Sequence, residues 1–351
     1  MPEHMDANAN SQPVEGALLD WLTANVEGFR GPARLEKFKG GQSNPTFRLK
    51  AASGDYVLRR QPPGKLLKSA HAVDREFRVM RALAGTDVPV PAVCALCESS
   101  DVIGSMFYVM AFCDGRIFWD AALPEVSGRD VRGAMYDEMN RVLAALHSVD
   151  VEKAGLSDYG KPGNYFARQL TRWSGQYRAS ELDPIPAMDE LMAWLDARQP
   201  PDDGQVALVH GDYRLDNLVF HPTEARIIAV LDWELSTLGH PFADLAYQCM
   251  QLRMPGGKGF IPGLKGVDRK ALGIPLETEY VALYCERMNI PSIPNWAFYV
   301  AFSFFRLAAI VQGVAKRAVD GNASNTRAAE LGRWVEPLAR EALAVIEAEA
   351  T

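Results

Sequence analysis

Hydrophobic and polar positions follow two different periods along this chain. In its first third, apolar residues alternate with polar ones over short stretches, a pattern typical of half-buried strands. This alternation predicts strands at residues 35–39, 46–49 and 56–60, and a run of apolar residues predicts a further strand at 106–112. Helical spacing of apolar residues occurs twice, at residues 15–26 and 72–83. The pattern therefore predicts an antiparallel meander accompanied by two helices.

Beyond Gly115 the helical period dominates. It predicts helices at residues 131–147, 165–177, 187–197, 277–288, 296–318 and 326–349. Short apolar strands interrupt them at residues 207–209 and 227–231. The predicted fold class is α+β, in which a small antiparallel β lobe precedes a larger, mainly helical lobe. We expect a disordered polar N-terminus at residues 1–13, the first lobe at 14–113 and the second at 114–351.

Composition narrows the class of protein. A chain of 351 residues with 48% hydrophobic and 23% charged residues can bury a sizeable core. Its net charge of −7 gives no electrostatic reason to bind nucleic acid or an anionic membrane. No uninterrupted apolar stretch approaches a membrane span, and the N-terminus lacks an apolar signal-peptide core, so we expect a cytoplasmic location. The five cysteines are expected to be free thiols, because Cys94 and Cys97 lack a second pair or a histidine for zinc.

The segment His210-Gly-Asp212, with Asn217 five positions later and Asp232 after an apolar run, carries the most specific chemistry. This spacing suits phosphoryl transfer to a hydroxyl, in which one carboxylate deprotonates the acceptor while an amide oxygen and a second carboxylate hold Mg²⁺. Asp212 is the candidate base, and His210 is interpreted as a catalytic-site brace that forms hydrogen bonds. An ordinary turn would not need these polar groups, which are costly to bury without partners. Asp244 either braces this loop or caps a helix beginning at Leu245.

Two features of the first third offer groups to a nucleotide. The hairpin Gly40-Gly-Gln-Ser-Asn-Pro45 lets backbone N–H groups approach a phosphate, with Gly41 and Ser43 as candidates. Its other interpretation is an ordinary glycine-rich turn. On the strand at 56–60, a period of two puts Val57 and Arg59 on one face. Arg59 would hold phosphates and Glu76 would steady it, unless the two are unrelated surface charges.

The strand at 106–112 is the candidate adenine site. Its backbone groups would face the base, with Met110 and Phe112 beside it. The alternative is that this strand is simply core, because most apolar strands are. The adenine assignment therefore depends on the catalytic loop being correct.

These motifs together resemble the aminoglycoside phosphotransferase and choline kinase superfamily, which has a protein-kinase-like, bilobal fold. The specific elements are His210-Gly-Asp-x-x-x-x-Asn217, Leu231-Asp-Trp-Glu234 and Pro241-x-x-Asp244. The resemblance implies an ATP- and Mg²⁺-dependent kinase that phosphorylates a small-molecule hydroxyl, with nucleotide in the first lobe and acceptor in the second. Arg59 stands where the superfamily often has lysine. Gly211 replaces the arginine of protein-kinase catalytic loops, and no Ala-Pro-Glu element follows Asp232, so a protein substrate is disfavoured.

The chain most resembles the kinase domains related to those fused to acyl-CoA dehydrogenases, through residues 231–241 and 296–317. No dehydrogenase segment is present, so we expect a stand-alone kinase. The branch implies a hydroxyacyl-CoA or a related anionic acceptor. Residues 251–325 agree, because they carry nine basic and five acidic side chains in an acidic protein. An aminoglycoside or choline-type kinase and a non-catalytic nucleotide-binding module stay open as alternatives. The sequence leaves the oligomeric state undetermined.

Overall fold

The computed structural model describes residues 11–38, 44–62, 71–256, 261–320 and 328–350. These residues form two compact units. Unit 1 takes the described part of Met1–Arg116 together with Leu218–Ser236, and unit 2 takes that of Ile117–Asn217 and Thr237–Thr351. The α+β class expected from the two hydrophobic periods is confirmed, because unit 1 is built on a sheet and unit 2 is mainly helical.

The strands in chain order are β1 Ser11–Pro13, β2 Ala33–Lys37, β3 Thr46–Ala51, β4 Gly54–Arg60, β5 Val93–Cys97, β6 Phe107–Ala111, β7 Ala207–Val209, β8 Leu218–Phe220, β9 Ile227–Val230 and β10 Thr237–Gly239. The helices are α1 Gly16–Asn25, α2 Val73–Leu83, α3 Arg129–His147, α4 Tyr165–Ser180, α5 Pro186–Ala197, α6 Phe242–Leu252, α7 Arg269–Leu272, α8 Glu277–Met288, α9 Trp296–Val319, α10 Ala328–Leu331 and α11 Val335–Ala350.

Unit 1 is organised by a six-stranded sheet of order β1-β2-β3-β4-β6-β5, in which every neighbouring pair is antiparallel. Side chains alternate between its faces. One face packs on α1 in a core that includes Leu22, Leu49, Leu58 and Phe107. Cross-strand pairing of Arg59 with Tyr108 places these two residues on the opposite face, so the predicted period of two along β4 is confirmed.

Two parts of unit 1 differ from the sequence prediction. Ser11–Pro13, expected to be disordered, form β1 at the sheet edge, where the guanidinium of Arg34 donates to Ser11 Oγ at 2.8 Å. The hairpin β8–β9, placed in the second lobe by a single division after residue 113, groups with unit 1 instead. Backbone bonds explain this grouping, because Val230 N donates to Pro89 O at 2.8 Å and Arg116 N to Phe220 O at 2.8 Å.

Unit 2 is built around the 24-residue helix α9, which packs against α4, α5, α6, α10 and α11. An 18-residue window of α9 has a mean hydropathy of 1.6, enough for a membrane span, which the sequence analysis did not anticipate. Within unit 2, however, 89% of that window is buried. Arg306 lies in its middle and is also buried. Its hydropathy is therefore that of a central core helix.

The single helix predicted at 326–349 is wrong. Within residues 328–350, α10 ends at Leu331, a 3₁₀ turn covers Gly332–Trp334, and α11 begins at Val335. Pro337 explains the break, since in a continuous helix its ring would clash with the carbonyl of Arg333 four residues earlier. In the first turn of α11 the proline is tolerated, because no intrahelical bond is lost there.

β8 packs closely against Gly115, and a substitution at Gly115 tests whether this packing stabilises unit 1. A Cβ atom at Gly115 would lie 2.3 Å from Phe220 O and 2.6 Å from Val219 Cγ1. We expect Gly115→Ala to reduce the free energy of unfolding by about 1–3 kcal/mol, because the hairpin must shift. The matched control is Gly175→Ala in α4, where a Cβ meets nothing within 4 Å. That change should be neutral or stabilising, and equal urea midpoints for the two variants would contradict the prediction.

Candidate active site

Arg59 on β4 links three carboxylates within unit 1. Its Nε lies 2.9 Å from Glu76 Oε2, and its Nη2 lies 2.7 Å from Asp232 Oδ1 and 3.8 Å from Glu234 Oε2. A planar guanidinium suits this role because its donors point in several fixed directions. Burial opposes the charge of Arg59, but Glu76 and Asp232 hold its pKa above the ordinary value. The predicted pairing of Arg59 with Glu76 is present.

Glu76 is almost completely buried and depends on its donors. In addition to its ion pair with Arg59, Glu76 accepts hydrogen bonds from Asn44 Nδ2 at 2.8 Å and from the Tyr108 hydroxyl at 3.1 Å. Burial, reinforced by the nearby carboxylates, raises the pKa of Glu76 to about 7, against the opposing charge of Arg59. A carboxylate in such a place is stable only while its cation stays beside it.

Asp232 follows β9 in the left-handed backbone region, with φ of +63°. Aspartate tolerates this conformation better than most residues. The indole N–H of Trp233 closes the turn by donating to Val230 O at 2.9 Å. The Asp232 side chain is 41% exposed, so it combines a fixed backbone with an accessible carboxylate.

The loop after β7 is held in unit 2 by Asp244 and Arg306. The Asp244 carboxylate accepts the backbone N–H groups of His210 at 2.6 Å and Gly211 at 2.8 Å. Gly211 has φ of +82°, a conformation that glycine adopts without strain. Its carbonyl accepts from Arg306 Nη2 at 2.7 Å. The loop backbone is thus bound on both sides.

Asp212 and Asn217 lie together at the end of this loop. Asn217 Nδ2 donates to Asp212 O at 2.9 Å and to Asp212 Oδ2 at 3.2 Å. His210 Nδ1 accepts from Asp212 N at 3.2 Å, which is the bracing geometry predicted for this histidine. Burial raises the pKa of Asp212, and Arg214 and His210 oppose the shift. A raised pKa makes the carboxylate a better proton acceptor near neutral pH.

Asp244 is a brace and not a helix cap. Helix α6 begins at Phe242, two residues before it, and Pro241 is the N-cap residue. Burial opposes ionisation of Asp244, but the bond from His147 Nε2 at 3.3 Å and the neighbouring His210 hold its pKa below the ordinary value. His147 in turn forms a 2.6 Å hydrogen bond to the Tyr284 hydroxyl through Nδ1. The carboxylate therefore joins the loop to α3, α6 and α8.

The structure describes two of the four remaining residues predicted to bind the nucleotide. Met110 is buried and pairs across the sheet with Val57, while Phe112 lies under the guanidinium of Arg48, 4.2 Å from ring centroid to Cζ. Adenine binding by either residue stays a prediction. Gly41 and Ser43 lie outside the described residues.

Sequence reasoning missed several residues that support the site. Asn44, which bonds Glu76, gave no separate signal within the glycine-rich hairpin. His147 and Tyr284 lie on helices far from the motif in sequence and gave none either. Arg306 had been counted only as a charge, although one arginine inside the apolar stretch of α9 was an available signal of a buried partner.

The surplus of four basic charges predicted for residues 251–325 is half neutralised in the structure, because two of the cations pair with acids outside that segment. Four of its cations form ion pairs: Arg253 with Glu277 at 2.6 Å, Lys265 with Glu341 at 2.5 Å, Arg287 with Asp137 at 2.7 Å and Lys316 with Asp320 at 2.5 Å. Glu341 and Asp137 lie outside the counted segment, so the count omitted them. The charge argument for an anionic acceptor is therefore weakened, and it does not carry the acceptor class.

The residues predicted to hold Mg²⁺ have suitable chemistry. Asn217 uses its amide N–H group on Asp212, which leaves its carbonyl oxygen for a cation, and Asp232 offers a partly exposed carboxylate. Over the described ranges, no group of three or more His, Cys, Asp or Glu side chains is placed to hold a metal by itself. A nucleotide-bound Mg²⁺ does not require one, because phosphates and waters complete its shell.

The sheet with its Arg59–Glu76 pair and the helical unit with its His-Gly-Asp loop define a protein-kinase-like phosphotransferase. A model of the phosphotransferase enzyme family matches residues 34–272. The chain belongs to this family, and it is a small-molecule kinase acting on hydroxyl groups.

Several known proteins are similar to this chain. Acyl-CoA dehydrogenase family member 10 of Mus musculus is 50% identical over 88% of this chain and 29% of its own length. Family member 11 of Homo sapiens is 42% identical over 98% of this chain and 43% of its own length. The chain thus spans less than half of either relative. A crystal structure from Ralstonia eutropha JMP134, described as a candidate aminoglycoside phosphotransferase, shares 51% identity and a TM-score of 0.87, covering 96% of this chain and 99% of that one.

Removing the cation beside Glu76 tests the cluster in unit 1. We expect Arg59→Met to reduce the free energy of unfolding by about 3–5 kcal/mol, because it leaves a buried carboxylate without its partner. The double variant Arg59→Met/Glu76→Gln should recover much of that loss in urea unfolding. Additive losses in the double variant would show that the pair is not coupled.

The lowered pKa of Asp244 predicts a pH dependence. Its ionised form stabilises the fold, so its contribution is present above the ordinary aspartate pKa and is lost as pH falls through the lower folded value. Asp244→Asn should cost about 1–3 kcal/mol at pH 7, because a loop N–H loses its acceptor. The gap to wild type should narrow below about pH 4. Urea titrations across pH measure it, with exposed Asp196→Asn as the control; a gap independent of pH would contradict the prediction.

Proposed function

We propose that this kinase uses ATP and Mg²⁺ to phosphorylate the hydroxyl of a hydroxyacyl-CoA or a related hydroxy acid. The observation that carries the acceptor class is the 50% identity to a protein named acyl-CoA dehydrogenase family member 10, over 88% of this chain. The intact set of Asp212, Asn217 and Asp232 supports catalysis over a non-catalytic nucleotide-binding module.

The residues would divide the chemistry as follows. Asp212, whose pKa is raised by burial, accepts the proton of the acceptor hydroxyl. At the same time the hydroxyl oxygen bonds to the transferred phosphorus, and the bond between that phosphorus and the ADP oxygen breaks. Asn217 and Asp232 would hold Mg²⁺, which neutralises phosphate charge when bound. Arg59, kept in place by Glu76, would bind nucleotide phosphates.

An aminoglycoside acceptor is the second candidate. Its support is the description of the Ralstonia eutropha structure, which shares 51% identity with this chain. A polycation would be expected to meet unpaired acidic side chains. Several acids near the C-terminal helices already pair with arginine or lysine, such as Glu277 with Arg253 and Glu341 with Lys265. We therefore favour the acyl acceptor.

The decisive experiment is a phosphotransfer screen with MgATP. 4-Hydroxyacyl-CoAs, the free 4-hydroxy acids, kanamycin and choline are compared, and we expect transfer to the acyl compounds. Asp212→Asn should reduce kcat by about 10²–10⁴, the range of general-base catalysis, while leaving the fold and the KM for ATP nearly unchanged. Asp196→Asn, an exposed change of the same type, should stay within a few-fold of wild type.

The other outcomes separate the alternatives. Phosphorylation of kanamycin without any acyl product would establish the antibiotic acceptor. Binding of MgATP without transfer to any compound would favour the non-catalytic module. An Asp212→Asn variant as active as wild type would remove Asp212 from the role of base.

A further inference from the structure

A group of basic side chains at the start of α4 lacks acidic partners. Residues 159–177 include Lys161, Arg168 and Arg172 and contain no acidic residue. Lys161 and Arg172 are exposed, and Arg168 is half-buried. Among the residues that the structure describes, none of the three forms an ion pair with a carboxylate. The nearby Asp202 is bound to backbone instead, since its Oδ2 accepts from Asn164 N at 2.9 Å. We call these three cations the α4 patch.

The α4 patch is held in a fixed shape. Arg168 Nη2 donates to Lys161 O at 2.5 Å and Nη1 to Pro162 O at 3.4 Å, which ties the helix to the loop before it. Residues four apart share one helix face, so Arg168 and Arg172 are neighbours. The guanidinium of Arg172 packs on the Trp173 ring, with Cζ 5.2 Å from the ring centroid. A packed guanidinium is already oriented, and its parallel donors match the oxygens of a phosphate.

Trp173 also connects the α4 patch to the catalytic loop within unit 2. The buried guanidinium of Arg306 has its Cζ 5.8 Å from the centroid of the same ring. Nη2 of Arg306 donates to Gly211 O, the carbonyl of the residue before Asp212. Two side chains in contact thus join an exposed cation of the patch to the backbone beside the candidate base.

The buried Tyr165 gives a second indication of this proximity. Burial raises the pKa of Tyr165, the charges of Arg306, Arg168 and Arg172 oppose the shift, and Asp244 reinforces it. The interaction between charges weakens with distance, so all four groups lie near this hydroxyl. The arginines of the α4 patch and the carboxylate that braces the loop therefore belong to one neighbourhood.

The charge and the position of the α4 patch select a phosphate-bearing ligand. Three unpaired cations repel a polycationic acceptor. Guanidinium and ammonium groups are the usual side-chain partners of phosphate oxygens. A coenzyme A thioester carries its phosphates at the far end of the pantetheine arm. When the acyl hydroxyl lies at Asp212, those phosphates must lie at a distance from the base, as the patch does.

We propose that the α4 patch binds the phosphate groups of the coenzyme A portion of the acceptor. The inference rests on the proposed function, because it specifies how that acceptor is recognised. The patch makes the coenzyme A thioester the preferred form of the acceptor over the free hydroxy acid. Its three cations bind and orient the substrate and take no part in proton transfer.

The test compares two thioesters of one hydroxy acid. One is a 4-hydroxyacyl-CoA, and the other is the 4-hydroxyacyl-pantetheine, which keeps the thioester and lacks every phosphate. For the wild type we expect a lower KM for the coenzyme A thioester. Lys161→Gln and Arg172→Gln should each raise that KM about two- to fivefold and shrink the difference between the thioesters, because exposed charge contacts contribute modestly. Added salt should shrink the difference too, through screening.

Arg178 provides a matched control on the same helix. It is exposed but already pairs with Asp189 at 2.6 Å and with Glu181 at 3.5 Å. We expect Arg178→Gln to keep the wild-type difference between the two thioesters. Arg172→Lys keeps the charge and should recover most of the loss seen in Arg172→Gln, whereas Arg172→Met keeps only the apolar stem and should not. The reverse order would reduce Arg172 to a packing role and contradict the inference.

Calorimetry with unacylated coenzyme A separates this inference from the proposed function. Saturating MgADP first fills the nucleotide site, so that coenzyme A cannot bind there through its own adenine. Binding to the wild type that weakens in Lys161→Gln and Arg172→Gln supports the α4 patch even if no acyl compound is phosphorylated. Equal affinity for the wild type and both variants, no detectable binding, or equal KM values for the two thioesters would overturn the inference and leave the kinase proposal intact.

Discussion

One buried carboxylate, that of Asp244, fixes the backbone of the loop that carries the candidate base. It accepts two consecutive backbone N–H groups from the loop that carries Asp212 and a third bond from His147. A neutral amide cannot replace it, because one of its two ends would present N–H groups to the loop donors. The position of the candidate base therefore depends on a charge that lies on a different helix. Loop geometry and ionisation are linked at this point.

In unit 1 a single cation, Arg59, joins several parts of the chain, as the Asp244 carboxylate does in unit 2. One guanidinium forms ion pairs with Glu76, Asp232 and Glu234. Burial raises the pKa of Glu76 to about 7. Replacement of such a cluster by apolar residues would often be neutral or stabilising in itself. The cluster is thus weak evidence of a contribution to stability, and the proposed binding of nucleotide phosphates by Arg59 gives another reason for it. Arginine also differs from lysine here, because a single ammonium group could not hold three separated carboxylates with the same fixed geometry.

Local signals predicted the parts of the fold that depend on local physics. Alternation along β4 placed Arg59 on the face opposite Leu58, and the motif spacing singled out Asp212 and Asn217, which form a hydrogen bond in the structure. The misassigned parts depend on long-range bonds. The hairpin at 218–230 groups with unit 1 through Pro89 and Arg116, which the chain order does not reveal. The break before Pro337 could have been predicted from the proline itself, but the helical period of the apolar residues continues through this segment and suggested one helix.

Ion pairs between distant parts of the chain determine how much of a counted charge is left unbalanced. A count over residues 251–325 suggested an anionic acceptor, but ion pairs such as Lys265–Glu341 and Arg287–Asp137 cross the limits of the counted segment. Net charge of a segment describes its surroundings only when its partners lie within it.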